Sequence, residues 1–295
     1  MEIKDYIDAK AKVIDKALLN YLPSKNKKPK ILHRAMRYSV LAGGKRLRPT
    51  LTLTVAHDLF GIEEEKVLPA AVAIELIHNY SLIHDDLPCM DNDDYRRGKL
   101  TNHKVFGDGI AVLAGDALLT YAFNLLTRLE GDFSPDLIIQ VIKEVSKEAG
   151  CQGMVGGQVA DTIAEGKKIE ESELEYIHNH KTGALLITSI RTAAMLGEAT
   201  PEELEALTNY AMNIGLSFQI IDDILDIVGD QEKLGKDIGS DLGRDKATFP
   251  YVYGLDKSKI LALEKNKKAK EALEIFGEDA EILIKLADYI IDREY

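Results

Sequence analysis

Ile74-Glu75-Leu76-Ile77-His78-Asn79-Tyr80-Ser81-Leu82-Ile83-His84-Asp85-Asp86-Leu87-Pro88-Cys89-Met90-Asp91 is the stretch that decides the reading of this chain. An apolar run of helical character ends in Asp85-Asp86, and a further aspartate follows at Asp91. The arrangement recurs where Ile214-Gly215-Leu216-Ser217-Phe218-Gln219-Ile220-Ile221 leads into Asp222-Asp223-Ile224-Leu225-Asp226. Carboxylates crowded at the end of an apolar segment repel one another and resist desolvation, and a multivalent cation relieves both. Asp222 and Asp226 stand four apart, on one face of a helix. Asp85 and Asp91 stand six apart, out of phase on an ideal helix, so Pro88 must break the helix and bring Asp91 back. Hard oxygen ligands of this kind suit Mg²⁺, which binds a few carboxylates and completes its shell with substrate phosphate. The sequence predicts a protein that grips a phosphorylated ligand through metal.

Outward from these motifs, apolar positions three and four apart predict helices over 2–21, 65–84, 110–129, 135–150, 170–196, 201–229 and 278–292. Ser134-Pro135-Asp136 and the capping box Thr200-Pro201-Glu202-Glu203 mark two starts. Thr50-Leu51-Thr52-Leu53-Thr54-Val55 alternates as a strand would, but it follows Pro49 and runs into Ala56-His57-Asp58-Leu59-Phe60, so it reads as a buried helix start. No other strand is expected. Residues 22–30 read as a polar connector, and 92–109 and 229–248 as charged, glycine-bearing loops over a site mouth. The expected architecture is all-α, a single large helical bundle of about ten or more helices forming one domain over 1–295.

With 45% hydrophobic and 29% charged residues in 295, the composition is that of a globular chain able to bury a large core. A net charge of -12 argues against general nucleic-acid binding, so an anion site must be built locally from Arg, Lys or metal. Cys89 and Cys151 are too few for a disulfide framework or a zinc site and fit a reducing, cytoplasmic setting. The charged first residues are unlike a signal peptide, and no uninterrupted apolar run approaches ~20 residues, so no membrane span is expected.

Basic residues cluster beside glycine in Gly43-Gly44-Lys45-Arg46-Leu47-Arg48-Pro49, Arg96-Arg97-Gly98-Lys99, Lys181-Thr182-Gly183 and Gly235-Lys236-Asp237. Glycine permits close backbone approach, and Arg and Lys donate to phosphate oxygens. The first cluster lacks P-loop spacing. His78 and His84 flank Tyr80 beside the carboxylates, and Gln219 shares a helix face with Asp222. No Ser-His-Asp or Cys-His arrangement is visible. The lysine-rich stretch 264–270 reads as an exposed helix face.

In this order along nearly the whole chain, these blocks resemble the trans-type isoprenyl diphosphate synthases, most closely the bacterial farnesyl diphosphate synthases. Besides the clusters above, the match includes Gly157-Gln158 with Asp161. The resemblance implies an all-α fold around a deep central cavity, and a homodimer. The implied reaction is head-to-tail condensation of isopentenyl diphosphate with an allylic diphosphate. It implies that Asp85, Asp91 and Asp222, supported by Asp86, Asp223 and Asp226, hold about three Mg²⁺ ions, with Mn²⁺ as a possible substitute. Arg96, Lys181 and Lys236 are implied to bind the allylic diphosphate, and Lys45, Arg48, His78 and Arg97 the isopentenyl diphosphate. Thr182 and Gln219 are implied to face the developing carbocation, with Gln158 and Asp161 behind them. Tyr80 and Ser81, five and four residues before Asp85, are the chain-length positions. Helix geometry alone does not choose between them; the resemblance favours Tyr80. Within the family the rival is a geranylgeranyl diphosphate synthase. Terpene cyclases lack the isopentenyl-binding cations, and non-catalytic synthase subunits lose an aspartate motif, whereas both motifs are intact here.

Overall fold

The structure, a computed structural model, describes residues 2–167, 169–228 and 248–292. The chain divides into two compact units. Unit 1 comprises Met1–Leu53 and Glu64–Ile138; unit 2 comprises Thr54–Glu63 and Ile139–Tyr295.

Unit 1 is built on α1 (Ile3–Tyr21), α2 (Lys30–Val40), α3 (Leu47–Thr54), α4 (Glu64–Asp85), α5 (Asn102–Phe106) and α6 (Asp108–Leu126). Glu64 and Glu65 in the first turn of α4 favour its positive end. Its body is apolar all round and buried accordingly, from Val67 through Ala70, Ile74 and Ile77 to Ile83. Its most extensive packing is against α6. By length and composition, α4 and the stretch Asp108–Leu129 could each cross a membrane, which the count of uninterrupted apolar runs did not anticipate. Scattered polar residues such as Asn79 and Ser81 break a run without removing the apolar balance. Most of α4 is buried inside the protein, as befits a core helix.

The loop expected over 92–109 contains α5 and a hairpin, so the expectation of no further strand is corrected. Tyr95–Arg96 pairs antiparallel with Lys99–Leu100. The two turn residues, Arg97 and Gly98, have φ of 53° and 71°. Positive φ at both positions is the type I′ turn that matches strand twist. Runs this short leave no alternating pattern to read.

Unit 2 holds α7 (Pro135–Ala149) from Ile139 onward, α8 (Met154–Ala164), α9 (Glu171–His178), α10 (Ala184–Leu196) and α11 (Pro201–Val228). After residue 247 come α12 (Phe249–Tyr253), α13 (Leu255–Ala272) and α14 (Glu281–Ile291). The capping box forms as expected: the Thr200 hydroxyl accepts from the Glu203 N–H at 3.3 Å, and Glu203 accepts from the Thr200 N–H at 2.7 Å. The alternating threonines are helical, as α3 followed by a π-helical turn over Val55–Leu59. The 28-residue α11 packs chiefly on α13 and α10. Leu174, Ile177, Ile220, Ile224 and Phe249 form an apolar cluster with Ala262 beneath its aspartates. The single helix expected over 170–196 is divided into α9 and α10 by a π-helical turn over Asn179–Gly183. Gly157 of α8 approaches this turn so closely that a Cβ there would lie 2.1 Å from the Lys181 nitrogen.

Candidate active site

In unit 1, α4 ends at the first aspartate motif. The Asp91 N–H donates to the Asp85 carbonyl at 2.8 Å, and Met90 and Asn92 donate to Leu87 O at 2.9 and 3.0 Å. The chain therefore turns back at Pro88 and returns Asp91 to Asp85, as its six-residue spacing required. Both are half-buried, whereas Asp86 is only 3% exposed. Arg96 donates from Nε to Asp86 Oδ1 at 2.6 Å and reaches Asp93 at 3.4 Å. Burial pushes the Asp86 carboxyl up to about 6, against the opposing pull of Arg96.

The adjacent arginines part company at the hairpin. Arg96 lies in the strand and turns to the carboxylates. Arg97, at the turn, donates to the Gly43 carbonyl. Gly44 makes this possible, because a Cβ there would sit 2.7 Å from the Arg97 guanidinium carbon. Positive φ at Arg97, a long side chain, is uncommon, and such conformations cluster at functional sites.

Arg46 also has positive φ and is buried. It donates to Glu75 Oε1 at 2.6 Å, Val40 O at 2.7 Å and Asp15 Oδ1 at 2.9 Å. Glu75, the one acid inside the apolar run of α4, also accepts from Asn79 at 3.0 Å. Arg46 thus ties the Gly43–Arg48 turn to α4. Burial lowers Arg48 to about 10, with Glu75 opposing and Arg97 adding to the effect. The Arg48 Nε is buried with no hydrogen-bond partner among the described residues. Burial, with Arg48, Arg97, Arg96 and Arg46 around it, holds His78 well below the usual imidazole range, so its ring is neutral. Lys45 is exposed at the same turn. These cations gather at one turn around a neutral histidine, which can add a hydrogen bond without adding charge.

Tyr80 is buried, with its ring edge-on to His84 at 5.6 Å and 81°. Burial, with Asp85 nearby, pushes its hydroxyl up to about 12. Half-buried Ser81 donates to the His78 carbonyl at 2.9 Å. The His84 Nε2 lies 3.0 Å from Val112 O on α6, and a Cβ on Gly115 would meet that ring nitrogen at 2.1 Å.

In unit 2, α11 carries the second motif. Asp222 and Asp226 have the expected helical spacing but not equal access: Asp222 is half-buried and Asp226 only 1% exposed. Asp223 is turned inward. Its Oδ1 accepts from Gln219 Nε2 at 2.9 Å and its Oδ2 from the Phe249 N–H at 2.9 Å. Thr182, in the π-helical turn, donates to Gln219 Oε1 at 2.9 Å. Lys181 pairs with Asp161 of α8 at 2.5 Å; Gln158 is on the same helix. His178, absent from the sequence reading, lies 3.7 Å from Asp223 and stacks on Phe249 at 4.9 Å. Burial holds its ring down to about 4, with Asp161 opposing and Lys181 adding to the effect. Lys236 lies outside the described residues.

Among the described residues, no group of three or more His, Cys, Asp and Glu side chains could hold a metal ion by itself. Mg²⁺ does not require one, since it keeps water and substrate phosphate in its shell. Asp85 and Asp91 in unit 1, and Asp222 in unit 2, are half-buried carboxylates, each a hard oxygen donor of the kind that ion takes.

A helical protein with cations ready for a polyvalent anion, and carboxylates ready for a hard metal, has the makings of an enzyme acting on phosphorylated substrates. The polyprenyl synthetase family model matches residues 29–286, running through both units. The chain is 44% identical to farnesyl diphosphate synthase of Geobacillus stearothermophilus, over 100% of this chain and 99% of that one. It is 48% identical to the chloroplastic geranylgeranyl pyrophosphate synthase of Capsicum annuum, over 99% of this chain and 79% of that one. Among solved structures, geranylgeranyl pyrophosphate synthetase of Pyrococcus horikoshii matches with a TM-score of 0.90 at 34% identity, covering 99% and 98% of the two chains. The chain belongs to the polyprenyl synthetase family and is a prenyltransferase.

Proposed function

We propose that the protein joins isopentenyl diphosphate to dimethylallyl and then geranyl diphosphate, releasing pyrophosphate each time and stopping at (E,E)-farnesyl diphosphate. The observation that carries the product assignment is Tyr80, a buried aromatic five residues before Asp85 and edge-on to His84. One helical turn is ~5.4 Å, close to one isoprene unit. A product growing along α4 toward its N-terminus meets the Tyr80 ring about one turn below Asp85, where Ser81 would leave it room.

Asp85, Asp91 and Asp222 would hold about three Mg²⁺ ions, supported by Asp86, Asp223 and Asp226, and Mn²⁺ suits the same oxygen donors. Bound there, the metal neutralises the diphosphate leaving group as a Lewis acid. Arg96, Lys181 and Lys236 bind the allylic diphosphate; Lys45, Arg48, His78 and Arg97 bind the isopentenyl diphosphate. Arg48 gains most from an arriving anion, because its guanidinium is buried and its Nε unpartnered. Thr182 and Gln219 offer oxygen dipoles that steady a carbocation without capturing it. The released pyrophosphate can take the final proton, so no side-chain base is needed. We place the enzyme in the cytoplasm as a homodimer. The apolar groove formed by Ile31, Leu32, Ile110, Leu113 and Ala117 in unit 1 supports a second copy as partner.

The test is incubation with Mg²⁺, isopentenyl diphosphate and dimethylallyl diphosphate, followed by chromatography of the dephosphorylated products. Farnesol is expected from the native enzyme. Tyr80→Ala should shift the product to geranylgeraniol or longer while condensation continues. Geranylgeraniol from the native enzyme would assign it to the longer-chain synthases. No condensation at all would mark a non-catalytic subunit. Unchanged farnesol from active Tyr80→Ala would place the stop elsewhere.

A further inference from the structure

The motif aspartate Asp223 does something that neither metal binding nor packing describes. Its two oxygens accept from two different donors, the Gln219 side-chain amide and the Phe249 backbone N–H. A carboxylate oxygen offers lone pairs, so the Gln219 NH₂ must face Asp223. The Gln219 carbonyl oxygen then faces Thr182, whose hydroxyl has to donate to it, at 2.9 Å. The order of protons along Thr182–Gln219–Asp223 is therefore dictated from the Asp223 end. With its proton committed to Gln219, Thr182 Oγ1 presents only lone pairs to its other neighbours, the polarity that positive charge requires.

We infer that Asp223 is a positioning residue that sets this proton order, holding Thr182 as an acceptor toward the cationic state of the reaction. The inference rests on the reading of Thr182 as a carbocation-facing residue. Asn at position 223 makes a specific test. Its single carbonyl oxygen would be claimed by the Phe249 N–H, leaving its NH₂ toward Gln219. That reverses the Gln219 amide, presents its NH₂ to Thr182 and turns the Thr182 proton outward. Asp223→Asn thus keeps shape and size but inverts the polarity at Thr182.

The experiment uses the full chain, with each substrate and Mg²⁺ varied separately. Asp223→Asn should lower kcat roughly ten- to a hundred-fold, the range for a misdirected buried hydrogen bond. Both KM values should stay within about twofold, and the Mg²⁺ midpoint should move by less than about tenfold, because Asp223 stands behind Asp222 and does not itself hold the metal. In a Thr182→Val background, where the relay has no end to invert, the same change should cost less than about threefold. The native Gln219 side-chain amide protons should show the downfield NMR shift of a carboxylate-bonded amide, and Asp223→Asn should remove it. An unchanged kcat, or full additivity with Thr182→Val, overturns the inference. So does a Mg²⁺ midpoint displaced tenfold, which would make Asp223 a metal ligand. If Asp223→Asn does not fold, Gln219→Leu cuts the relay while leaving the Asp223–Phe249 bond, and must reproduce the loss of kcat. If the native enzyme performs no condensation, the functional reading fails, and the amide spectra alone decide the proton order.

Discussion

The two aspartate motifs look alike in sequence and are built on different principles. The first lies where α4 ends, its outer members Asp85 and Asp91 drawn together by a backbone hydrogen bond. The second lies in the last described turns of α11, with no break in the helix between its members. In each, the second aspartate of the pair turns inward, but Asp86 accepts from a cation, Arg96, whereas Asp223 accepts from the Gln219 amide and the Phe249 N–H among the described residues, with His178 3.7 Å away. An ion pair with a half-buried arginine can be exchanged for a ligand, because both charges remain useful when they separate. Amide bonds to a buried carboxylate cannot be exchanged so, because a buried N–H left without a partner costs about 1–3 kcal/mol. On the proposed reading, the first motif can respond to substrate while the second holds its shape.

The largest effect expected of this contrast is on turnover. Asp85→Ala and Asp222→Ala should each lower kcat by orders of magnitude at saturating Mg²⁺ while the far-ultraviolet circular dichroism stays native. Both are half-buried carboxylates, and on the proposed reading they serve a charge-separating state. Near-normal turnover in either variant would remove that motif from the metal site. A smaller effect separates the two arginines. Arg97→Ala should raise KM for isopentenyl diphosphate, and Arg96→Ala that for the allylic substrate, by roughly ten- to a hundred-fold, the worth of a charged hydrogen bond. If each variant moves both constants alike, the hairpin does not divide the substrates. The smallest effect bears on the inner aspartates. Asp223→Ala should cost about 1–3 kcal/mol of unfolding free energy by orphaning the Phe249 N–H, and Asp86→Ala less, since Arg96 can turn to solvent. Urea titrations of the two variants check the order, and equal losses would erase the distinction.

Much of this was legible in the sequence because it follows from short-range rules. Helical periodicity revealed the all-α fold, and Thr200 through Glu203 announced the start of α11. Pro88 and the spacing of Asp85 and Asp91 together required the reversal that the structure contains. The remainder depends on partners distant in sequence. Arg46 reads as one more cation in a basic turn, and only the fold brings Glu75, Asp15 and Val40 around it. A clue was present, since Glu75 is the lone acid in an otherwise apolar run and needs a buried counter-charge. His178 and the π-helical turn left no comparable sign. The π-turn lies where Gly157 of another helix makes its close approach, a neighbour distant in sequence. Helical spacing also placed Asp222 and Asp226 on one face, but spacing carries no information on depth.

Gly115 has a consequence for how products of this family are read from sequence. His84 lies against α6 at Gly115, where a side chain is missing, and its ring in turn bounds Tyr80. A methyl group at position 115 has no room unless that imidazole moves, and the tyrosine loses its neighbour when it does. On the proposed reading of Tyr80, position 115 bears on product length without touching the product. On that reading, the search for the chain-length determinant takes in positions 84 and 115 as well as the residues just before Asp85.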